Sequence, residues 1–219
     1  MLRAPGRPTP GRGAALPLKR TRACYADASV MNAALRPRYT FAEYLAIEAV
    51  SREVKHEYVA GEIFAMAGGS VEHSALATAL VGLLFAQLRG GPCRPHGSDL
   101  RLRIPAAEVA TYADAAVLCD PVERDPASPA HVTNPRIVVE VLSPTTERYD
   151  REQKRLYYGQ IEALREYVLI AQDRRQVEVW RRDGDGWIHS VHPAGTRAPL
   201  ASIAYELDVD ELYSAAGVG

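Results

Sequence analysis

The chain has 219 residues, of which 47% are hydrophobic and 24% are charged, and its formal net charge is −1. This balance is typical of a soluble globular protein of one domain, with or without appendages. No apolar run approaches the length of a membrane span, so no membrane contact is expected, and the longest run, at 75–88, is interpreted as a core helix.

Charge is spread unevenly along the sequence. Residues 1–30 carry six basic residues and one acid, which leaves −6 on residues 31–219. An acidic body argues against a module that only binds polyanions, but it allows an enzyme whose metal ions offset the charge at its site. Residues 1–35 are rich in Pro, Gly, Ala and Arg without a period, and we interpret them as a disordered basic extension. The alternatives are a basic arm on nucleic acid and a start assigned too early, with Met31 as the true start.

The first half of the body, taken in order, predicts a helix, a hairpin and a second helix. Thr40 and Glu43 have the spacing of a capping box, which begins a helix. Residues 56–68 alternate around Gly61 as a β-hairpin does. Residues 72–89 are predicted as an apolar helix that ends at the Gly-Gly-Pro of 90–92.

The second half predicts mainly strands. A half-exposed strand is expected at 98–105, and buried strands are expected at 113–119 and 136–142, separated by a loop with several prolines. A helix at 146–161 and a short closing helix at 209–215 are predicted, together with strands at 166–171, 177–182 and 186–191. This order predicts an α/β domain, spanning 36–219, with a mixed sheet flanked by helices.

The three cysteines, Cys24, Cys93 and Cys119, are an odd number without paired spacing. They predict neither a disulfide framework nor a cysteine zinc site. A reducing cytoplasm is therefore the expected location.

Glu140 stands inside the apolar run Ile137–Leu142, where an unpaired carboxylate is costly. The strand should be buried on both faces, with Val138 and Leu142 on the side of Glu140. Because Ser143 and Pro144 follow at once, Glu140 lies near the carboxyl end of its strand, where α/β sheets usually place ligands. The alternative is a strand-end glutamate that reaches solvent or an arginine.

Asp114 opens another apolar strand 26 residues earlier and is the natural partner of Glu140. Two close carboxylates repel unless a cation lies between them, and oxygen ligands with open water positions suit Mg²⁺ or Mn²⁺. The alternative is that Asp114 only caps a loop.

Three further side chains could join this site. Lys154, in the helix after the Glu140 strand, could turn back to orient a water or stabilise a developing phosphorane charge, or it could be a solvated lysine on a charged face. Glu57 begins the first hairpin strand and His73 lies at the start of the long helix. Either could be an ordinary surface residue, and a lone histidine at a helix start is more often a local hydrogen-bonding group than a ligand.

Other chemistries lack support in the sequence. No nucleophile elbow, phosphate loop or dinucleotide fingerprint is present. The Gly68-Gly69-Ser70 element lacks the parallel strand before it and the lysine that a phosphate loop needs.

Several blocks, in order, resemble the Uma family of restriction-endonuclease-like proteins. The resemblance covers about residues 39–214. Its blocks are Lys55–Ile63 with Met66, Ala67 and His73, then Tyr112–Val117, Val138–Glu147, Tyr149–Lys154, Glu166–Ile170 and Val177–Arg182.

The resemblance implies a PD-(D/E)XK nuclease-like fold, in which an acid pair binds Mg²⁺ and a lysine assists the attacking water. By motif position, it makes Asp114 and Glu140 metal ligands, with the Val141 carbonyl oxygen as a third. Glu57 matches an acid that contacts metal or orders a water. Leu142 stands where the superfamily motif has its lysine, and Lys154 is the replacement that the resemblance suggests.

These expectations combine into a Mg²⁺- or Mn²⁺-dependent DNA endonuclease with Asp114, Glu140, Lys154 and Glu57 as catalytic residues. A homodimer is an expected assembly, because nucleases of this fold often pair to cut two strands. The rival hypotheses are a non-catalytic relative that binds nucleic acid or a protein partner, and a metal-dependent hydrolase of another phosphodiester.

Overall fold

Two six-stranded sheets form the framework of residues 38–219, which are the residues that this computed structural model describes. The predicted disordered extension at 1–35 lies outside them. The helices are α1 (Phe41–Val50), α2 (Val71–Leu88), α3 (Glu147–Tyr149), α4 (Arg155–Tyr158) and α5 (Val209–Ala216).

The first sheet, called the central sheet, has the strand order β12-β11-β10-β9-β6-β3. Strands β9 and β10 are parallel, and every other neighbouring pair is antiparallel, so the sheet is mixed. Its strands are β3 (Cys93–Gly97), β6 (Ala115–Cys119), β9 (Ile137–Leu142), β10 (Glu166–Ala171), β11 (Gln176–Asp183) and β12 (Gly186–Pro193).

The second sheet, called the hairpin sheet, has the strand order β2-β1-β5-β4-β8-β7. A separate pair of strands, β13 (Arg197–Leu200) and β14 (Tyr205–Asp208), precedes α5. The strands of the hairpin sheet are β1 (His56–Val59), β2 (Glu62–Ala65), β4 (Arg101–Ile104), β5 (Val109–Tyr112), β7 (Arg124–Asp125) and β8 (Ser128–Val132). The predicted α/β class, with mixed sheets and flanking helices, is confirmed.

Strand β9 is buried along its whole length and separates two apolar clusters. Val139 and Val141 pack in the cluster that contains residues of α2 and α5. Val138 and Leu142 pack in the cluster that contains Tyr158 and residues of the hairpin sheet. The alternation that the sequence predicted is therefore correct, and it assigns Glu140 to the second side.

Local signals fixed the first two elements. Thr40 caps α1, because its hydroxyl accepts from the Glu43 amide and the Glu43 carboxylate accepts from the Thr40 amide. Ala60 and Gly61 both have positive φ, at 47° and 90°, so they form the tight turn that joins β1 to β2.

Helix α2 is longer than the predicted core segment, and only one face of it is buried. Only Leu76, Leu80 and Leu84 are buried, and Val71 and Phe85 are 80% and 55% exposed. Among the described residues it is the one helix long and apolar enough to cross a membrane, a test that core helices of soluble proteins also pass. The interpretation of this run as a core helix holds for one face only.

The predicted regular helix at 146–161 is interrupted. A π-helical turn, Asp150–Lys154, separates α3 from α4. Such turns shift the side chains that follow them around the helix, and they recur at functional sites.

Some expectations about strands are wrong. The strand predicted as half-exposed contains β4, whose last three residues are buried, because β4 lies between β5 and β8 inside the hairpin sheet. The predicted proline-rich loop contains β7 and β8. Strands β3, β5, β13 and β14 had no separate prediction, since short strands gain their stability from neighbours that are distant in sequence.

The prediction of no disulfide is also wrong. Cys93 on β3 and Cys119 on β6 lie directly opposite each other and are joined by a disulfide. Their separation of 26 residues carries no motif, and antiparallel pairing alone brings them together. The cytoplasmic location stays a prediction.

A buried polar network attaches α1 to the hairpin sheet. Glu48 is 4% exposed, and its carboxylate accepts from the Tyr112 hydroxyl at 2.6 Å and lies 2.9 Å from Nδ1 of His56. These partners satisfy a charge that would otherwise be costly to bury.

His131 on β8 is fully buried beside the rings of Phe41 and Tyr44. Its Nδ1 lies 2.8 Å from the Ser128 hydroxyl, and its Nε2 has no hydrogen-bond partner. Burial, together with the nearby positive charge of Arg101, lowers the pKa of His131 to about 4.

This histidine predicts a loss of stability in acid. Its folded-state pKa lies below its unfolded value of about 6.5, so its contribution to stability is intact above pH 6.5 and is lost as the pH falls toward 4. The cost is on the order of 3 kcal/mol. Urea unfolding at pH 7.5 and pH 4.5 should show that His131→Phe loses less free energy of unfolding than the wild type. If both proteins lose the same free energy of unfolding between the two pH values, His131 is not the source of the acid sensitivity.

Candidate active site

Glu140 is 2% exposed, on the middle strand pair of the central sheet. Its Oε1 accepts from the Tyr158 hydroxyl at 2.7 Å and from Lys154 Nζ at 3.0 Å. The carboxylate is therefore buried and paired, and it does not reach solvent as the alternative interpretation required.

Lys154 reaches back to strand β9 from the helical segment 147–158, which consists of α3, the π-helical turn and α4. Its ammonium lies 3.0 Å from Glu140, 3.4 Å from Asp150 Oδ1 and 3.8 Å from Glu57 Oε1, and its side chain is 12% exposed. The alternative of a solvated lysine is wrong, because this side chain points from the π-helical turn toward β9. Arg151, three residues earlier in the same turn, contacts Glu178 on β11 instead.

Asp114 lies just before β6, one step beyond Ala115–Val139, the last pair in the ladder between β6 and β9. Its Oδ2 accepts from the Val141 amide at 2.7 Å and lies 3.1 Å from Nε2 of His73. The structure thus brings Asp114 to the same strand as Glu140, and its side chain, 21% exposed, remains accessible to solvent.

Glu57 comes to the site from the hairpin sheet. Its Oε1 accepts from the Thr111 hydroxyl on β5, and its side chain is 12% exposed. With Lys154 beside it, Glu57 lies where the hairpin sheet meets the helical segment. The four predicted catalytic side chains therefore meet: Glu140 and Glu57 lie near the Lys154 ammonium, and Asp114 accepts from the Val141 amide on β9.

Asp150 is a site residue that the sequence reasoning missed. It is 2% exposed, and its Oδ1 has no hydrogen-bond partner, although the Lys154 ammonium lies nearby. Burial raises its pKa, and the attraction of Lys154 opposes the rise. No sequence signal separates it from the charged residues around it, because its burial depends on the π-helical turn.

His73, for which the sequence favours a local hydrogen-bonding group over a ligand, also lies at the site. The side chain is 18% exposed and points at Asp114, so it is more than a local group at a helix start. Its pKa is raised, mainly by the hydrogen bond to Asp114, and the Val141 backbone contributes to the rise.

Acids outnumber bases in this cluster. Four carboxylates, from Glu57, Asp114, Glu140 and Asp150, surround Lys154 and His73. Burial raises the pKa of Glu140 to about 8; Lys154 opposes this, and Asp114 and Asp150 add to it. Burial alone would lower the pKa of Lys154, but Glu140, Glu57 and Asp150 hold it well above its ordinary value.

A divalent cation fits this donor set. The residues offer hard oxygen atoms and an excess of negative charge, both of which Mg²⁺ and Mn²⁺ require. Between residues 38 and 219, no three His, Cys, Asp or Glu side chains are arranged to hold an ion by themselves. Asp114 and Glu140 would therefore need the Val141 carbonyl, water and substrate oxygens to complete a coordination shell.

Comparisons with known proteins agree with the fold and the motif blocks. Residues 41–210 match the family model described as "Uma2: Putative restriction endonuclease". A Synechocystis protein, uncharacterized protein slr1290, is 39% identical over 178 residues, which is 81% of this chain and 92% of that protein. A second Synechocystis protein, uncharacterized protein sll1609, is 36% identical over 146 residues, which is 67% of this chain and 82% of that protein.

A solved structure shares the fold. The crystal structure of a putative nuclease belonging to DUF820 from Anabaena variabilis superposes with a TM-score of 0.68, covering 81% of this chain and 98% of that one, at 20% identity. The family model spans most of the chain, and the structural match supports a restriction-endonuclease-like core. The chain belongs to the Uma2 family of restriction-endonuclease-like proteins.

Proposed function

We propose that this protein is a Mg²⁺- or Mn²⁺-dependent endonuclease that hydrolyses phosphodiester bonds in DNA. The observation that carries the proposal is the contact of 3.0 Å between Lys154 Nζ and Glu140, on a strand that lacks the usual motif lysine. The family description of a restriction endonuclease supports DNA as the substrate.

The chemistry divides among the named residues. Asp114 and Glu140 would hold the cation, with the Val141 carbonyl oxygen as a further ligand. When bound, the cation supplies Lewis-acid polarisation of the phosphoryl group and a lower pKa for water. Glu57 lies within reach of the same ammonium and would order a water.

Lys154 would supply positive charge beside the scissile phosphodiester. Its ammonium can donate a hydrogen bond to the attacking water and stabilise negative charge that develops on the phosphoryl oxygens. The Tyr158 hydroxyl donates to the same Oε1 atom of Glu140 that Lys154 contacts, which holds the carboxylate in a defined position beside the ammonium. Both groups are buried, so their geometry is set before substrate arrives.

The first prediction from the proposed function concerns Glu140. Glu140→Gln keeps the shape of the side chain but removes its charge, and should lower Mg²⁺- or Mn²⁺-dependent cleavage of plasmid DNA by about 100-fold or more. Glu152→Gln is the matched control, because Glu152 is an exposed glutamate in the π-helical turn that follows β9. Circular dichroism should confirm that both variants fold.

Three results would separate the rival functions. An inert wild type, or equal cleavage by the wild type and Glu140→Gln, would reject the nuclease. Calorimetry without Mn²⁺ binding, together with DNA affinity that ignores metal, would favour a non-catalytic binding module. Cleavage of other phosphodiesters in preference to DNA would redirect the proposal to a different hydrolase.

The second prediction concerns Lys154. Lys154→Met should abolish cleavage, and it should destabilise the protein by about 3–5 kcal/mol because the buried carboxylates of Glu140 and Asp150 and the nearby Glu57 lose their cation. Mn²⁺ should therefore raise the Tm of Lys154→Met more than that of the wild type, as measured by thermal denaturation.

Arg155→Met is the control for Lys154→Met. Arg155 is the next residue, and its guanidinium lies over the ring of Trp180 on β11. This variant should keep both cleavage and the wild-type response to Mn²⁺. A smaller Tm response to Mn²⁺ in Lys154→Met than in the wild type would contradict the charge argument.

We also propose that a second copy of this chain covers the exposed face of α2. A groove of about 580 Å³ on this face is lined by residues that include Ser74, Ala75 and Thr78. Phe85 lies on the same face, ten residues further on. In an antiparallel pair centred near residue 80, Phe85 of one copy meets Ala75 of the other, and the contact is repeated by symmetry.

The third prediction tests this pairing. Phe85→Glu places a charge at both symmetric contacts, so the dimer should dissociate to a monomer of unchanged fold. Light scattering after size exclusion measures the mass, and Phe64→Glu is the control, because Phe64 is also exposed but lies on β2. A monomeric wild type would refute the proposal, and so would a Phe85→Glu variant that remains dimeric.

A further inference from the structure

The loop before α2 contains Gly69 and Ser70, which the proposed reaction does not use directly. Ser70 caps α2, because its hydroxyl accepts from the His73 amide at 3.2 Å. This contact fixes the first turn, from which the imidazole of His73 extends to Asp114 at 3.1 Å. The Gly68-Gly69-Ser70 sequence, which is no phosphate loop, therefore ends three residues before a residue of the site.

Gly69 is required by the close approach of this imidazole. A Cβ at Gly69 would lie 2.7 Å from Nδ1 and 2.9 Å from Cγ of His73. Gly68 differs, since a Cβ there would have no neighbour within 4 Å. The absent side chain at Gly69 thus allows the ring to take its observed position.

Both contacts to Asp114 fall on a single carboxylate oxygen. Oδ2 accepts a hydrogen bond from the Val141 amide at 2.7 Å and lies 3.1 Å from His73 Nε2. The amide hydrogen bond and the imidazole contact on one oxygen restrict the orientation of the carboxylate and leave Oδ1 outside this pair of contacts. Hydrogen bonds of this kind orient ligands and raise metal affinity in many proteins.

We propose that His73, positioned by Gly69 and Ser70, is a positioning residue that donates from Nε2 to Asp114 and holds this carboxylate for a divalent cation. The inference rests on the proposed metal-dependent function. His73 acts on the metal through Asp114 and does not itself coordinate it.

The first test uses the metal-free protein. The Val141 amide donates to the oxygen that His73 also contacts, so its hydrogen exchange, followed by NMR, reports how firmly Asp114 is held. His73→Ala should increase the exchange rate of the Val141 amide about tenfold or more, whereas His73→Gln, which can place an amide donor near the position of Nε2, should stay near the wild-type rate. An unchanged rate in His73→Ala overturns the proposal.

The second test measures Mn²⁺ affinity by calorimetry. His73→Ala should weaken binding by about 10–100-fold, and His73→Gln should restore most of the loss. Gly69→Ala should weaken binding in the same direction by displacing the ring, and Gly68→Ala should have no effect. Affinity unchanged by both His73→Ala and Gly69→Ala would overturn the proposal.

A spectroscopic measurement distinguishes positioning from coordination. Electron spin echo spectroscopy of bound Mn²⁺ should show no nitrogen coupling that disappears in His73→Ala, and such a coupling would make His73 a ligand and overturn the proposal. If the wild type binds no Mn²⁺ while His73→Ala still loosens the Val141 amide, the positioning of Asp114 stands and the proposed function fails.

Discussion

The buried ammonium of Lys154 is the interaction on which the site depends. It lies within 4 Å of carboxylates from β9, from the hairpin sheet and from its own π-helical turn. Removing one partner from a buried charge cluster costs several kcal/mol of folding free energy. The contacts of Lys154 therefore stabilise the packing of β9, the hairpin sheet and the π-helical turn against one another. The fold and the candidate chemistry therefore share the same contacts.

The excess of acid around that ammonium has two consequences. Added to burial, which is the main cause, it raises the pKa of Glu140, which is a cost to the folded protein without a cation. It also creates the attraction that a divalent cation would satisfy. Sites built on buried strands keep their geometry better than sites on loops, and both Glu140 and the Val141 amide belong to such a strand.

The hairpin sheet acts as a support for the site. Glu48 connects α1 to this sheet, and Arg103 lies over the ring of Phe41 at 4.1 Å and donates to the Val109 carbonyl. These contacts hold β1 against β5, which is how Glu57 meets Thr111 and comes within reach of Lys154. The polar contacts distant from the site thus determine where its fourth carboxylate lies.

Much of the framework could be predicted because its signals are local. The capping box at Thr40, the turn at Gly61 and the apolar strand around Glu140 depend on residues within a few positions of each other. The sequence therefore determined the main helices, the longer strands of the central sheet and the burial problem posed by Glu140. The ordered motif blocks also indicated Asp114 and the family.

Tertiary structure alone decided the rest, since it depends on contacts between distant segments. The pairing of β3 with β6 joins Cys93 to Cys119, and no spacing in the sequence indicates it. The π-helical turn buries Asp150 and directs Lys154 to β9, and the sequence could offer the lysine only as one candidate among charged neighbours. His73 reaches Asp114 because α2 begins beside the end of the ladder between β6 and β9.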